Sequence, residues 1–151
     1  MHVLPRRGDS PAVSTIGPQR QLDQQSPPEI WGQLVAAVFA REGVIEGHSQ
    51  VSPASSRAVF FSEDDPDAPR ERSLFPDGRM EPVHIHGVDD TSVHLTLPPS
   101  RGDELGELGW AQPHQYADFG TEFLVYGPRD HEELEVTLAI IDESLRFARA
   151  R

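Results

Sequence analysis

The sequence predicts an α+β two-layer sandwich, a mostly antiparallel sheet with the N-terminal and C-terminal helices packed on one face. Two observations support this fold. Amphipathic helical patterns lie near both ends of the 151-residue chain, and apolar residues between them alternate with period two in EPVHIHGVDDTSVHLTL, residues 81–97. Because helices at both ends of such a sheet cover one of its faces, we expect the other face to be open to a ligand.

The N-terminal 25 residues differ in composition from the rest. They are rich in Pro, Gln, Arg, Ser and Gly and show no sustained apolar period, which is typical of disorder. We therefore predict a disordered leader over 1–25 and a single domain over 26–151. Ser26 is predicted to cap the first helix, with Glu29 at the capping-box position, and apolar residues between 30 and 39 share one helical face.

The middle of the chain alternates weak strands with a charged segment. Residues 44–51 read as a weak strand, and 58–61 form a short strand that is apolar on both faces. Residues 62–79 are dense in charge and proline, so a flexible, solvated loop is the main prediction. The alternative is a lid over the sheet, anchored by Leu74 and Phe75.

The C-terminal part supplies a short helix, a last strand and a long helix. Residues 100–108 are amphipathic, with Ser100 as the expected cap, and 122–126 form the last strand. Asp130 and Glu133 have the spacing of a capping pair. The helix that follows carries an apolar stripe that must face the sheet, namely Leu134, Leu138, Ile141, Leu145 and Ala148.

The hairpin concentrates polar side chains that can do chemistry. If its apolar residues share one face, residues of equal parity must pair, which favours a turn of three or five residues. His84 then lies opposite His94 or one pair away, and His86 points to the same side. Cross-strand Cβ distances of about 5 Å bring these three imidazoles within reach of one ion or one small ligand.

Three histidines at this spacing predict a metal site as one of two open alternatives. His84, His86 and His94 would bind a divalent ion such as zinc, nickel or ferrous iron, with His114 as a fourth ligand or general base. The other alternative is an ordinary polar sheet face whose histidines share no ligand. No Ser/His/Asp order, phosphate-binding glycine loop or paired carboxylates can be found in the sequence, so it does not decide whether the protein is an enzyme.

Composition limits the partners. The formal net charge is −12, from 25 acidic and 13 basic residues, which disfavours binding to nucleic acid. There is no cysteine, so thiolate metal sites and disulfides are excluded. No apolar run is long enough to span a bilayer, and the N-terminus lacks a secretory signal pattern. We therefore expect a cytoplasmic protein without a membrane partner.

The motifs that carry chemistry also suggest a family. They are PVHIHG at 82–87, SVHL at 92–95, GW at 109–110 with PH at 113–114, and YGPRD at 126–130. Over about residues 28 to 150 the chain resembles the small luciferase-domain family of bacterial and fungal proteins. The resemblance implies no established reaction, and the family name does not imply light emission. Close members tend to have Ala where this chain has Gly127, and Glu or Arg in the segment after Trp110.

A second function uses the same sheet face without metal. In a small-molecule-binding module, Trp110, Tyr116 and Tyr126 would form aromatic walls, and His114 or Arg129 would anchor polar groups. A third function is a protein-interaction module that engages partners through the acidic surface and the Pro-rich leader. Neither of these alternatives requires catalysis.

Overall fold

A computed structural model describes residues 2–53, 55–115 and 119–150. In these residues the fold consists of three helices, six strands and a short 3-10 helix. In chain order they are α1 (Pro28–Phe39), β1 (Val44–His48), β2 (Arg57–Phe61), the 3-10 helix (Arg70–Arg72), β3 (Val83–Gly87), β4 (Asp90–Thr96), α2 (Pro99–Glu107), β5 (Ala111–Pro113), β6 (Glu122–Val125) and α3 (His131–Arg149).

The strands form one sheet in the order β1-β2-β3-β4-β6-β5, and every neighbouring pair is antiparallel. The short edge strand β5 is not a separate strand in the sequence prediction. Helices α1 and α3 contact each other, and both contribute to a core that includes Leu34, Val38, Ile141, Val93 and Leu95. The predicted α+β architecture with terminal helices on one face is therefore confirmed.

Of the three predicted helix N-caps, only one forms the expected side-chain hydrogen bond. The Asp130 carboxylate accepts a hydrogen bond from the backbone N–H of Glu133 at 2.8 Å and caps α3. The capping box at Ser26 is wrong, because α1 begins after Pro27 and its N-cap makes no side-chain hydrogen bond. Ser26 instead donates its backbone N–H to Thr91 Oγ1 at 2.9 Å. Ser100 likewise lies inside α2 and does not cap it.

The buried face of α3 differs slightly from the predicted stripe. Leu134, Ile141, Leu145 and Ala148 are buried as expected, whereas Leu138 is only half-buried. The buried face is wider on one side because α3 contacts both the sheet and α1. Its additional buried members are Glu133, Thr137, Ile140 and Ser144.

The N-terminal segment, defined here as residues 2–25, lies against the domain and not apart from it. Val3 belongs to the buried core, and the backbone N–H of Arg6 donates to the Leu108 carbonyl at 2.9 Å. The indole N–H of Trp110 donates to the Leu4 carbonyl at 2.8 Å. Most of these contacts are polar or backbone hydrogen bonds, so they leave no apolar period in the sequence.

The charged segment 62–79 is also tied to the sheet. The backbone N–H of Leu74 donates to the Glu81 carbonyl at 2.8 Å, and Thr96 Oγ1 donates to the Arg72 carbonyl at 2.7 Å. Leu74 is buried. A cavity of about 900 Å³ lies between this segment and the C-terminal end of α3, and no histidine lines it. Within the described ranges, no helix has both the length and the apolar character needed to cross a membrane.

Candidate metal centre

The β3–β4 hairpin brings the histidines together on one side. His84 pairs directly with His94, which is one of the two registers that the apolar alternation allows. The connection differs from the predicted three or five residues. Only two residues separate the strands, and a register shift sets Thr91 and Ser92 against His86. This β-bulge supplies the extra residue that restores parity.

The three imidazoles form a compact cluster. Ring centroids are 5.0 Å apart for His84 and His94, 5.0 Å for His86 and His94, and 5.3 Å for His84 and His86. One ring nitrogen from each residue lies within 4.8 Å of the other two. Nitrogen ligands around a tetrahedral ion, each about 2.0–2.1 Å from the metal, are separated by about 3.4 Å. Small side-chain rotations would close the cluster around one ion.

The expectation that this face is open is wrong. His84 is 4% exposed and His94 is 3% exposed. The N-terminal segment lies at the edges of the cluster, where Gln19 Nε2 donates to the Pro113 carbonyl at 3.3 Å and the Gln21 N–H donates to Asp90 Oδ1 at 3.1 Å. A sequence pattern cannot reveal this cover, because its hydrogen bonds join residues about 70 to 95 positions apart.

Glu81 orients His84. Its Oε2 lies 2.9 Å from His84 Nδ1, and it also accepts hydrogen bonds from Ser49 Oγ at 2.6 Å and the Gln50 N–H at 2.8 Å. Burial alone would raise the pKa of Glu81, but the hydrogen bonds from His84, Gln50 and Ser49 hold it below its ordinary value. A carboxylate on Nδ1 leaves Nε2 of His84 as the nitrogen for a ligand.

His86 is held by a hydroxyl. Its Nδ1 lies 2.9 Å from the Oγ of the buried Ser56, whereas its Nε2 is buried and hydrogen-bonds to no described residue. The nearest carboxylate oxygen to Nε2 that the structure shows, Asp90 Oδ2, is 3.9 Å away. Burial and the nearby His84 lower the pKa of His86 to about 4, against an opposing effect of Asp90. His86 is therefore neutral at pH 7.

His94 is the central ring of the cluster. Neither of its ring nitrogens makes a hydrogen bond with any residue in the described part of the chain. Burial lowers its pKa well below the ordinary value, and the neighbouring His84, His86 and His114 act in the same direction. The backbone of Gln19 acts in the opposite direction without forming a bond of normal geometry.

His114 lies next to His94, with ring centroids 5.1 Å apart. Its Nδ1 is 3.3 Å from Glu122 Oε2. Burial, followed by the charge of His84, lowers the pKa of His114 to about 4. Ligand atoms of His94, His114 and Glu122 form a second group within 4.8 Å of one another.

The remaining candidate ligand-binding residues contact the N-terminal segment. Trp110 donates to Leu4 and lines a cavity of about 410 Å³ between that segment and α3. The ring of Tyr126 lies under the Arg6 guanidinium at 5.4 Å, and its hydroxyl donates to Gln112. Arg129 pairs with Glu133 and donates to the Arg7 carbonyl at 2.6 Å. Tyr116 lies outside the described residues.

Sequence reasoning assigned no role to several residues that shape the site. Glu81 comes two residues before β3, outside the period-two pattern, and its carboxylate lies 2.9 Å from His84 Nδ1. Glu122 reaches the site because β6 pairs with β4, with Leu124 opposite His94. The parity of β6 would have identified Glu122 once that pairing was known. Ser56 and Gln19 carry no sequence signal of their role.

Comparisons with known proteins relate this chain to a protein family. Residues 79–144 match the family model of the luciferase domain. The chain is 30% identical to the luciferase of Armillaria gallica over an alignment of 161 positions. The alignment covers 95% of this chain and 60% of that protein. The luciferase of Armillaria mellea is also 30% identical, with the same coverage, and that of Neonothopanus nambi is 33% identical over 46% of this chain and 28% of its own length.

The matches cover only part of each relative. The chain spans about 60% of the length of the Armillaria relatives. No solved structure gives a significant match. The matched region contains β3, β4 and most of α3, and hence all four clustered histidines. Over these residues the chain matches the luciferase-domain family.

Proposed function

We propose that this luciferase-domain protein binds a divalent transition-metal ion through His84, His86 and His94. The single observation that carries the proposal is a set of buried ring nitrogens without partners among the described residues, Nε2 of His86 and both nitrogens of His94. A buried polar atom left unpaired costs about 1–3 kcal/mol. A metal ion would satisfy such atoms, whereas a polar sheet face without a ligand leaves them unsatisfied.

The protonation state supports the same function. Metal ions bind neutral imidazole, so a histidine ligand must lose its proton first. The pKa of His86 is lowered to about 4 and that of His94 is also lowered. These two rings are therefore neutral at physiological pH, and an ion has no proton to displace from their free lone pairs.

The surroundings of the rings resemble the outer shell of a metal site. Ligating histidines usually hydrogen-bond through the second ring nitrogen to a carboxylate or another polar group, which fixes the orientation of the ring. Glu81 has this position on His84, and Ser56 has it on His86. Zinc, nickel and ferrous iron all suit imidazole ligands.

Three histidines would leave one coordination position for a small molecule. A metal ion held by these histidines would polarise an oxygen of a bound small molecule or would activate water. His114 is close enough to His94 to act as a further ligand or as a base. The name luciferase belongs to the fungal relatives, and metal-dependent binding of a small molecule is the activity proposed for this chain. A cytoplasmic location and the lack of nucleic-acid partners remain predictions from composition.

Elemental analysis of tag-free protein tests the proposal. Zinc, nickel, manganese and ferrous iron are then added separately to metal-free protein at pH 7.5. An ion that binds only the folded state stabilises it by about 2.7 kcal/mol at a hundredfold excess over Kd. At least one ion should therefore raise the thermal midpoint.

Variants identify the ligands. His84→Ala, His86→Ala and His94→Ala should each abolish most of the metal-dependent rise. His48→Ala and His131→Ala replace exposed histidines outside the cluster and should retain it. Because the readout is the difference with and without metal, a variant that is less stable by itself remains informative. A wild-type midpoint that none of the four ions moves would overturn the proposal in favour of a metal-free module.

A further inference from the structure

A second set of metal-ligand atoms lies beside the first. It consists of His94, His114 and Glu122, whose ligand atoms are within 4.8 Å of one another. His94 belongs to both sets. The first set approaches it from β3, whereas the second approaches it from β6 and from the residue that follows β5. The ring of His94 therefore lies between two groups of ligands.

One ion cannot satisfy the ring of His94. A neutral imidazole carries one N–H and one lone pair, and in His94 both nitrogens are buried without a hydrogen bond to any described residue. An ion bound to one nitrogen leaves the other unpaired, which costs about 1–3 kcal/mol. The nearby Gln19 backbone does not form a hydrogen bond of normal geometry with it.

We infer that His94 bridges two divalent ions, one held with His84 and His86 and the other with His114 and Glu122. This inference rests on the proposed function of the first site. Binding of the second ion replaces the remaining ring proton, which leaves to solvent, so that His94 becomes an imidazolate with one metal bond from each nitrogen. No electrons are exchanged in this step.

The charges near the cluster fit two ions better than one. Two divalent ions bring four positive charges. The carboxylates of Glu81, Asp90 and Glu122 each lie 2.9 to 3.9 Å from a histidine ring nitrogen. Together with an imidazolate, they balance two ions. With a single ion and a neutral His94, the three carboxylates would outnumber the positive charges of the metal in a largely buried region.

Metal stoichiometry tests the inference. The full, tag-free chain is stripped with a chelator, loaded with excess Zn²⁺ and desalted, and zinc and protein are measured. We expect two zinc ions per chain. One zinc ion per chain would overturn the bridge and leave the proposed function standing. No bound zinc, together with a thermal midpoint that none of the four ions moves, would overturn both.

Matched variants assign the second ion. His114→Gln and Glu122→Gln should each lower the zinc content from two ions to one, because the first set of ligands remains. The controls His131→Gln and Glu107→Gln, at exposed positions on α3 and α2, should retain two. Circular dichroism of each variant checks that it is folded. Two ions in the folded His114→Gln variant would overturn the assignment.

Cu²⁺ distinguishes a bridge from two separate sites. An imidazolate between two Cu²⁺ ions couples their spins, so protein with two copper ions should give a much weaker paramagnetic resonance signal per copper than protein with one. The Glu122→Gln variant with one Cu²⁺ should give an ordinary mononuclear spectrum. A full, uncoupled signal from both ions in the wild-type protein would overturn the bridge.

Discussion

His84 and His94 face each other directly across the β3–β4 ladder, with their rings stacked 5.0 Å apart at an interplanar angle of 23°. Burial, followed by the charge of the neighbouring His84, lowers the pKa of His94 well below its ordinary value. The ring of His94 is therefore held in the neutral form that binds metal. This relationship governs how the protein should respond to pH.

Metal-free protein should lose stability as pH falls from 6.5 towards 4. The pKa values of His86 and His114 are lowered from 6.5 to about 4 in the folded protein, so the unfolded chain binds more protons in this interval. Above pH 6.5 both states are neutral at these residues and the dependence disappears. The thermal midpoint of the wild type should fall as the pH is lowered from 7.5 to 5.

Variants isolate the histidine contribution to this fall. His86→Gln and His114→Gln should each make the pH dependence shallower, whereas His131→Gln should leave the slope unchanged. A wild-type midpoint that is constant from pH 7.5 to 5 would show that the rings titrate normally in the folded state.

Glu81→Gln should weaken zinc binding about 10-fold to 100-fold, as is typical when a group that orients a ligand is lost. The amide is neutral and a weaker hydrogen-bond acceptor than the carboxylate, so it should orient the His84 ring less firmly. Competition with a chromophoric chelator measures the affinity. Glu46→Gln, which alters the exposed pair with Arg57 on β1 and β2, is the control and should bind zinc normally. Equal affinities for the two variants would contradict the orienting role of Glu81.

Gln21→Ala should destabilise the domain by about 1–3 kcal/mol, the cost of leaving a buried donor unpaired. Gln21 is 1% exposed, and its Oε1 accepts a hydrogen bond from the buried Gly127 N–H at 2.9 Å. Urea unfolding measures the loss. Gln33→Ala, on the exposed side of α1, should have little effect. Equal stability of the two variants would instead favour the disordered leader that composition predicts for 1–25.

Ile141→Ala should cost about 2–5 kcal/mol, because a fully buried aliphatic side chain is removed from a packed core. Leu138→Ala should cost clearly less, since Leu138 is only half-buried at the margin of the same core. Denaturant unfolding of both variants provides the comparison. The reverse ranking would mean that α3 is rotated about its axis relative to this structure.

Gly127→Ala should destabilise this chain by about 1–3 kcal/mol through overpacking. A Cβ at this position would overlap Thr91 Oγ1 and would lie 2.7 Å from the Thr91 carbonyl oxygen and 2.8 Å from Ser26 Oγ. The control is Gly32→Ala, where a Cβ meets nothing within 4 Å. A neutral Gly127→Ala variant would show that the backbone around Thr91 yields easily.

The sequence predicts those parts of the fold and site that depend on local patterns. Period-two alternation within one hairpin was sufficient to predict His84 opposite His94 or one pair away, and the structure shows the direct pair. The approach of His114 and Glu122 depends on pairing between distant strands, for which a single sequence offers many registers. The packing of Gln19 and its neighbours depends on individual hydrogen bonds, which follow no period.

The bulge between Ile85 and Gly87 makes the hairpin sensitive to changes in length. A two-residue turn alone would place residues of opposite parity against each other, and only the extra residue opposite His86 keeps the imidazoles and the core side chains on their respective faces. Deleting or inserting one residue here would either turn His84 towards the core or turn the apolar residues of β4 away from the core. Length variation in this hairpin is therefore tolerable only when a second change compensates for the first.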